Sequence, residues 1–198
     1  MIRRLASLRK LRRDNRATAI LEFALTAPVF LLLIMGIFDY CWQMYAQQVL
    51  QGAVSQSARS STLEGYVSDP SGLDAKVRSQ VLKVFKNADV HFSRKAYESF
   101  SEVSNPETFD DRNGNGVRDP GECFEDVNNN GTLDNDRGST GNGSADDVVL
   151  YTASMKFKRV LPVWRVLGMP QETTLSSSTI LRNQPYSANT STKRVICT

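Results

Sequence analysis

The stretch "RATAILEFALTAPVFLLLIMGIF", Arg16 to Phe38, decides how this chain is read. At about 1.5 Å of rise per residue, Thr18 to Phe38 is long enough to cross the hydrocarbon of a bilayer as a helix. One charge interrupts it, Glu22, near its start. Pro28 would kink the helix or lie against a neighbouring one. A secretory signal peptide has a shorter apolar core and a small-residue cleavage site. Here "DYCWQM" follows Phe38, and the large and acidic residues ahead of Cys41 do not suit lipid attachment either. The reading is a retained membrane helix.

Charge sets its direction. Residues 1–16 hold seven Arg or Lys against Asp14 alone, a net +6, so the rest of the chain carries −3 within an overall +3. A basic tail beside an apolar run stays cytoplasmic. An acidic remainder with no base-reading motif argues against nucleic acid as a partner. The expected layout is a basic cytoplasmic leader at 1–17, a transmembrane helix at 18–40, a stalk continuation at 41–64 and a translocated domain at 65–198. This makes the chain a single-pass membrane protein with a translocated C-terminal domain.

Beyond the membrane the patterns change. From Cys41 to Leu63 the chain turns polar without a break signal, and Trp42, Tyr45 or Ala46, Val49, Ala53 and Gln56 or Ser57 share one helical face. Gly65 is the expected stop. "SDPSGLDAKVRSQVLKVFKN" predicts a second helix with Leu73, Val77, Val81 (or Val84) and Phe85 as its stripe, capped by Asp69 or Ser71. "ADVHFSR" alternates as a strand, as does "DVVLYTASMKFKRV", with Val149, Tyr151, Ala153, Met155 and Phe157 on one face. "LPVWRVLGMP" reads as a short apolar connection, and "ETTLSSSTILRN" as another strand. The fold class is α+β: a long transmembrane and stalk helix, then a small domain of helix and antiparallel sheet with an insertion at 105–147.

The insertion holds the chemistry. In "DRNGNGVRDPGE", Asp111, Asn113, Asn115, Gly116, Asp119 and Glu122 take positions 1, 3, 5, 6, 9 and 12 of a calcium loop. Alternating oxygens converge on one centre, Gly116 allows the sharp turn, and the Val117 carbonyl supplies a main-chain ligand. Asp126, Asn128, Asn130, Gly131, Thr132 (through its carbonyl) and Asp134 repeat the phase. Arg137 stands at position 12 of this second loop, so Asp136 or an acid from the first loop would have to substitute. The bland alternative is a solvated Asn/Gly/Asp loop. Only three residues separate the loops, too few for the exit helix of an EF-hand, and the arrangement resembles the compact calcium loops of dockerin-like and thrombospondin-repeat-like segments. Mostly neutral ligands imply weak binding, on the order of 10⁻⁴–10⁻³ M, suited to an extracytoplasmic space.

Cys123 and Cys197 both fall in the translocated part, where one disulfide would form in an oxidising compartment and leave Cys41 near the membrane; three unpaired thiols are the alternative. The single histidine, His91, lies in a strand-like stretch, and there is no G-x-S-x-G or H-E-x-x-H. No enzyme is expected.

Two stretches carry a family resemblance. Ala17, Glu22-Phe23, Pro28, Gly36 and Asp39 follow the pattern of TadE-like pseudopilins of the tight-adherence (Flp) pilus system, and Arg182-Asn183 resembles the end of that family's last strand. The resemblance implies that a prepilin peptidase cuts between Ala17 and Thr18, although the family usually has Gly before the cut. Glu22 would become the fifth residue of the mature protein. It also implies an inner-membrane location with a periplasmic C-terminal domain, extracellular once in a pilus, and, as partners, other pilin subunits, the inner-membrane pilus assembly machinery and the membrane. A membrane-anchored calcium-binding adhesin or secretion-apparatus component outside any filament is the competing function. For Glu22 itself, snorkelling to the cytoplasmic headgroups or pairing with Arg16 is the competing role.

Overall fold

The computed structural model describes residues 16–61, 70–183 and 193–197. The basic leader before Arg16, the stop at Gly65 and the cap at Asp69 lie outside them.

Helix α1, Arg16–Ser61, is 46 residues long. It continues through Pro28, which has no N–H to give the preceding turn; Thr26 Oγ1 donates to the Glu22 carbonyl at 2.9 Å. Ile20, Leu21, Phe23, Leu25, Phe30 and Leu33 are each more than half exposed, and the helix is long and apolar enough to cross a membrane. A helix apolar on all sides and uncovered by its own chain has lipid as its natural solvent.

The chain divides into two compact units. One joins α1 up to Met44 with Arg159–Gln171. The other holds Tyr45–Lys158 and Glu172–Thr198.

In the larger unit, helix α2 (Pro70–Val84) and strands β1 (Asp89–Tyr97), β4 (Val148–Lys158) and β5 (Glu172–Arg182) form the body, with the short β3 (Ser139–Thr140) at one edge. The sheet is antiparallel in the order β3-β1-β4-β5. The alternation in β4 behaves as written: Val149, Tyr151, Ala153, Met155 and Phe157 are buried. They meet Leu73, Val77, Val81 and Phe85, and Ala46, Leu50, Ala53 and Val54 from the stalk end of α1. Each fully buried Val or Leu stabilises by about 1.5–3 kcal/mol. Val84 is 39 % exposed, so Val81 carries the stripe of α2. On α1 the expected face holds at Ala46, Ala53 and Ser57, with Val49 partly buried against the core, and is corrected at Trp42 and Tyr45, which are exposed; Leu50 and Val54 complete the buried line. The larger, partly polar rings fit better at the margin than beneath a close-packed sheet, where alanine allows close approach. Asp74 fixes α2 to the sheet, accepting from Tyr151 Oη at 2.8 Å and Arg94 Nη2 at 2.6 Å.

β1 and β4 pair residue for residue, so residues 98–147 are one excursion from a hairpin. Within it β2 (Cys123–Asp126) pairs with β6 (Arg194–Cys197) as a separate two-stranded sheet.

Candidate metal-binding repeat and assembly segment

The excursion contains a repeat of fifteen residues: "ETFDDRNGNGVRDPG", Glu107–Gly121, and "ECFEDVNNNGTLDND", Glu122–Asp136. Glu, Phe, Asp, Asn, Asn, Gly and Asp recur at matching places. Its two copies meet back to back. Phe109 and Phe124 form an antiparallel bridge, flanked by equivalent hydrogen bonds, Asp110 N–H to the Cys123 carbonyl at 2.8 Å and Glu125 N–H to the Thr108 carbonyl at 2.9 Å. A local twofold therefore relates the loops.

In the first loop the Asp111 carboxylate accepts from the backbone N–H of Gly114 at 2.7 Å, Asn115 at 3.2 Å and Gly116 at 2.8 Å. Asn113 Oδ1 takes the Asn115 N–H, and Asn115 Oδ1 takes the Val117 N–H. Asp119 Oδ2 accepts from Asn113 Nδ2 and Asn115 Nδ2. Glu122, 5 % exposed, closes the ring, Oε1 on the Arg112 N–H and Oε2 on the Asp119 N–H, both at 2.9 Å. Gly116 has φ +75° and Gly131 φ +81°, a region that glycine enters without strain.

The second loop repeats this. Asp126, fully buried, accepts from Asn130 N–H at 3.1 Å and Gly131 N–H at 3.0 Å. Asn128 Oδ1 takes the Asn130 N–H, Asn130 Oδ1 takes the Thr132 N–H, and both amides donate to Asp134 Oδ2. Asp136 does not close this loop; it accepts from Lys95 Nζ at 2.5 Å and Tyr97 Oη at 2.9 Å. Nor does an acid of the first loop. The closing group is Glu107, 3 % exposed, with Oε1 on the Val127 N–H at 2.9 Å and Oε2 on the Asp134 N–H at 3.0 Å. These are positions 2 and 9 of the second loop, the same two amides that Glu122 takes in the first. Each glutamate precedes one loop and closes the other. Glu107 lies outside the twelve-residue motif, so motif spacing passed over it; the fifteen-residue period pairing it with Glu122 was the signal that finds it. Arg137 turns away to Glu102 at 3.5 Å and Glu125 at 3.2 Å.

Among the described residues no group of three or more His, Cys, Asp or Glu is set to hold a metal ion. The loop carboxylates accept from main-chain N–H groups and from the side-chain amides of Asn113, Asn115, Asn128 and Asn130.

Cys123 and Cys197 form a disulfide, directly opposite each other in β2 and β6. Cys41 is a free, exposed thiol. Beside the repeat, burial and the hydrogen bond to Asp136 push the Tyr97 hydroxyl up to about 12. Burial opposes ionisation of Asp136, but hydrogen bonds from Lys95, Tyr97 and the Gly138 N–H outweigh it and hold the carboxyl below its ordinary value.

Near its N-terminus, α1 carries Thr18 and Glu22 one helical turn apart. Glu22 and Phe23 are both exposed on the apolar half of the helix. Ala17 falls within α1, its side chain outside the described residues.

The family model described as TadE-like protein matches residues 17–59. That segment is the membrane-length part of α1 and most of its stalk, the first of the two stretches that carry the resemblance; the match does not extend to the second, at Arg182-Asn183. No curated protein and no solved structure matches the chain.

Proposed function

We propose that this chain is a minor pilin or pseudopilin of a tight-adherence pilus, a structural subunit that primes, caps or decorates the filament. Its TadE-like segment associates it with that pilus system and its apolar helix with a membrane. The observation that carries the finer reading is Glu22. A carboxylate in a membrane helix costs up to about 2.5–3.5 kcal/mol at the centre even on permissive scales, and less toward the end where Glu22 stands, and a simple anchor gains nothing from it. Cleavage between Ala17 and Thr18 by a prepilin peptidase would create a positive α-amine one turn before Glu22, on the same face. Paired with that amine, within the subunit or across to a neighbouring one, the carboxylate becomes an assembly contact. The mature domain would face the periplasm while the helix stays in the inner membrane, and the outside once the subunit enters a pilus.

The repeat would act as a calcium brace. Rotating the Asn113, Asn115, Asn128 and Asn130 amides to present oxygen would let each loop hold one ion. The first set is Asp111, Asn113, Asn115, the Val117 carbonyl, Asp119 and Glu122. The second is Asp126, Asn128, Asn130, the Thr132 carbonyl, Asp134 and Glu107. An apolar-poor segment then gains folding energy from the ion.

Shearing pili from cells and probing for the protein tests the subunit role. Wild type should co-purify with the filaments, and Glu22→Ala should insert in the membrane but be lost from them. Absence of the wild type from pili, with its leader retained, would favour the anchored adhesin or secretion component instead.

A further inference from the structure

The apolar run of α1 ends at Phe38, and the next residue, Asp39, is only 2 % exposed. Three donors converge on its Oδ2: Arg159 Nη1 at 2.5 Å, Trp164 Nε1 at 2.6 Å and Gln43 Nε2 at 2.9 Å. Two of them come from the β4–β5 connection, which falls in one compact unit with this part of α1.

That connection is a built element. Its neck closes through Arg159 N–H to the Gln171 carbonyl at 2.9 Å and Gln171 Nε2 to the Leu161 carbonyl at 2.6 Å. A single helical turn, α3 (Val163–Val166), ends with Gly168 N–H on the Arg165 carbonyl at 3.2 Å and Met169 N–H on the Trp164 carbonyl at 2.7 Å. Gly168 has φ +73°, so this is a Schellman cap. The Arg159 guanidinium lies 4.5 Å from the centre of the Trp164 ring. The polar groups thus turn inward to Asp39, while Val160, Val166, Leu167 and Met169 point out, 51–70 % exposed. A loop ordered this firmly has no need to leave four large apolar side chains in water.

We infer that Arg159–Gln171 is a foot seated on the bilayer that α1 crosses, its apolar residues in the interfacial layer and Arg165 among the lipid phosphates. Continuity with the span names the occupant. The foot is tied to the residue immediately after the hydrocarbon run, where the headgroups begin. It carries a tryptophan, enriched at that depth, and one exposed arginine, Arg165, with no acidic residue between Arg159 and Gln171. The inference rests on the membrane-spanning reading of α1. It gives the β4–β5 connection a purpose, which is to hold the stalk at a fixed depth.

Full-length chain with Cys41→Ser, labelled with the environment-sensitive fluorophore NBD at Leu167→Cys or at Leu33→Cys, would be reconstituted in phosphatidylethanolamine/phosphatidylglycerol vesicles. At Leu167→Cys we expect stronger quenching by a nitroxide near the headgroup than by a deep one. Iodide should quench it several-fold less than NBD-cysteine in solution. Adding Val166→Glu and Met169→Glu should abolish the nitroxide quenching. Full iodide access at Leu167→Cys while Leu33→Cys is quenched by the deep nitroxide would overturn the foot and leave the anchor standing. Shielding from iodide without nitroxide quenching means that a second copy of the chain covers the surface, and also overturns it. Absence of deep quenching at Leu33→Cys would remove the membrane reading and the foot with it.

Discussion

Glu22 and Glu107 are both carboxylates in places that penalise charge. Glu22 stands among exposed apolar residues of a helix long enough to cross a membrane, and Glu107 is 3 % exposed. Glu107 is held by two backbone N–H donors, Val127 and Asp134, the counterparts of those on Glu122. Removing either side chain leaves two amides without their partner, at about 1–3 kcal/mol per buried group. The crossed arrangement makes a sharp prediction for calcium titration followed by amide NMR. Glu107→Gln should weaken the response of Gly131 and spare Gly116, whereas Glu122→Gln should do the reverse. Each glutamate affecting the loop it precedes would contradict the exchange.

Tyr97 and Asp136 give opposite pH signatures. The Tyr97 hydroxyl ionises higher folded than unfolded, so its contribution is whole below about pH 10 and falls as pH rises from there to about 12. The Asp136 carboxyl ionises lower folded than unfolded, so its contribution holds above the ordinary carboxylate value, about 3.9, and is lost as pH falls through its folded value. Thermal melts across pH should show both limbs. Tyr97→Phe should shallow the alkaline limb, leaving the part due to Tyr151, whose hydroxyl is also raised by burial and by its bond to Asp74. An unchanged alkaline slope would deny Tyr97 this role.

At the scale of elements, periodicity read well where one period held over a long stretch. The alternation of β4 and the stripe of α2 place their buried residues correctly because each element has a single face against one core. The stalk of α1 read less well. Its small residues make several faces equally plausible, and only the packing of Leu50 and Val54 against Tyr151 and Met155 selects one. β6 escaped notice because "RVIC" is short and its pairing with β2 depends on a partner 74 positions away at Cys123. Likewise the apolar character of "LPVWRVLGMP" was visible, but not its tie to Asp39, since nothing local joins a carboxylate at 39 to a guanidinium at 159. The fifteen-residue repeat was half legible: both Asn/Asp loops stood out, while the glutamate exchange needed the fifteen-residue period. If that repeat is a calcium brace, chelation should loosen residues 107–137 and leave α2 intact. Limited proteolysis with and without chelator checks this, and identical cleavage patterns would count against the brace.

At the scale of the whole molecule, chemistry varies along the chain in a consistent order. A basic N-terminal stretch meets an apolar span, and a domain follows that holds the Cys123–Cys197 bridge, of a kind that persists in oxidising compartments, and the two Asn/Asp loops for which calcium is proposed. All of this fits a subunit that starts in a membrane and ends outside the cytoplasm. Whether it is an assembling subunit or a fixed anchor turns on one covalent event, the release of the Thr18 amine beside Glu22. N-terminal sequencing of the protein recovered from membranes and from sheared pili reads that event directly. The account predicts a mature chain beginning at Thr18 in the pilus fraction. A chain in both fractions that still carries its basic leader would contradict it.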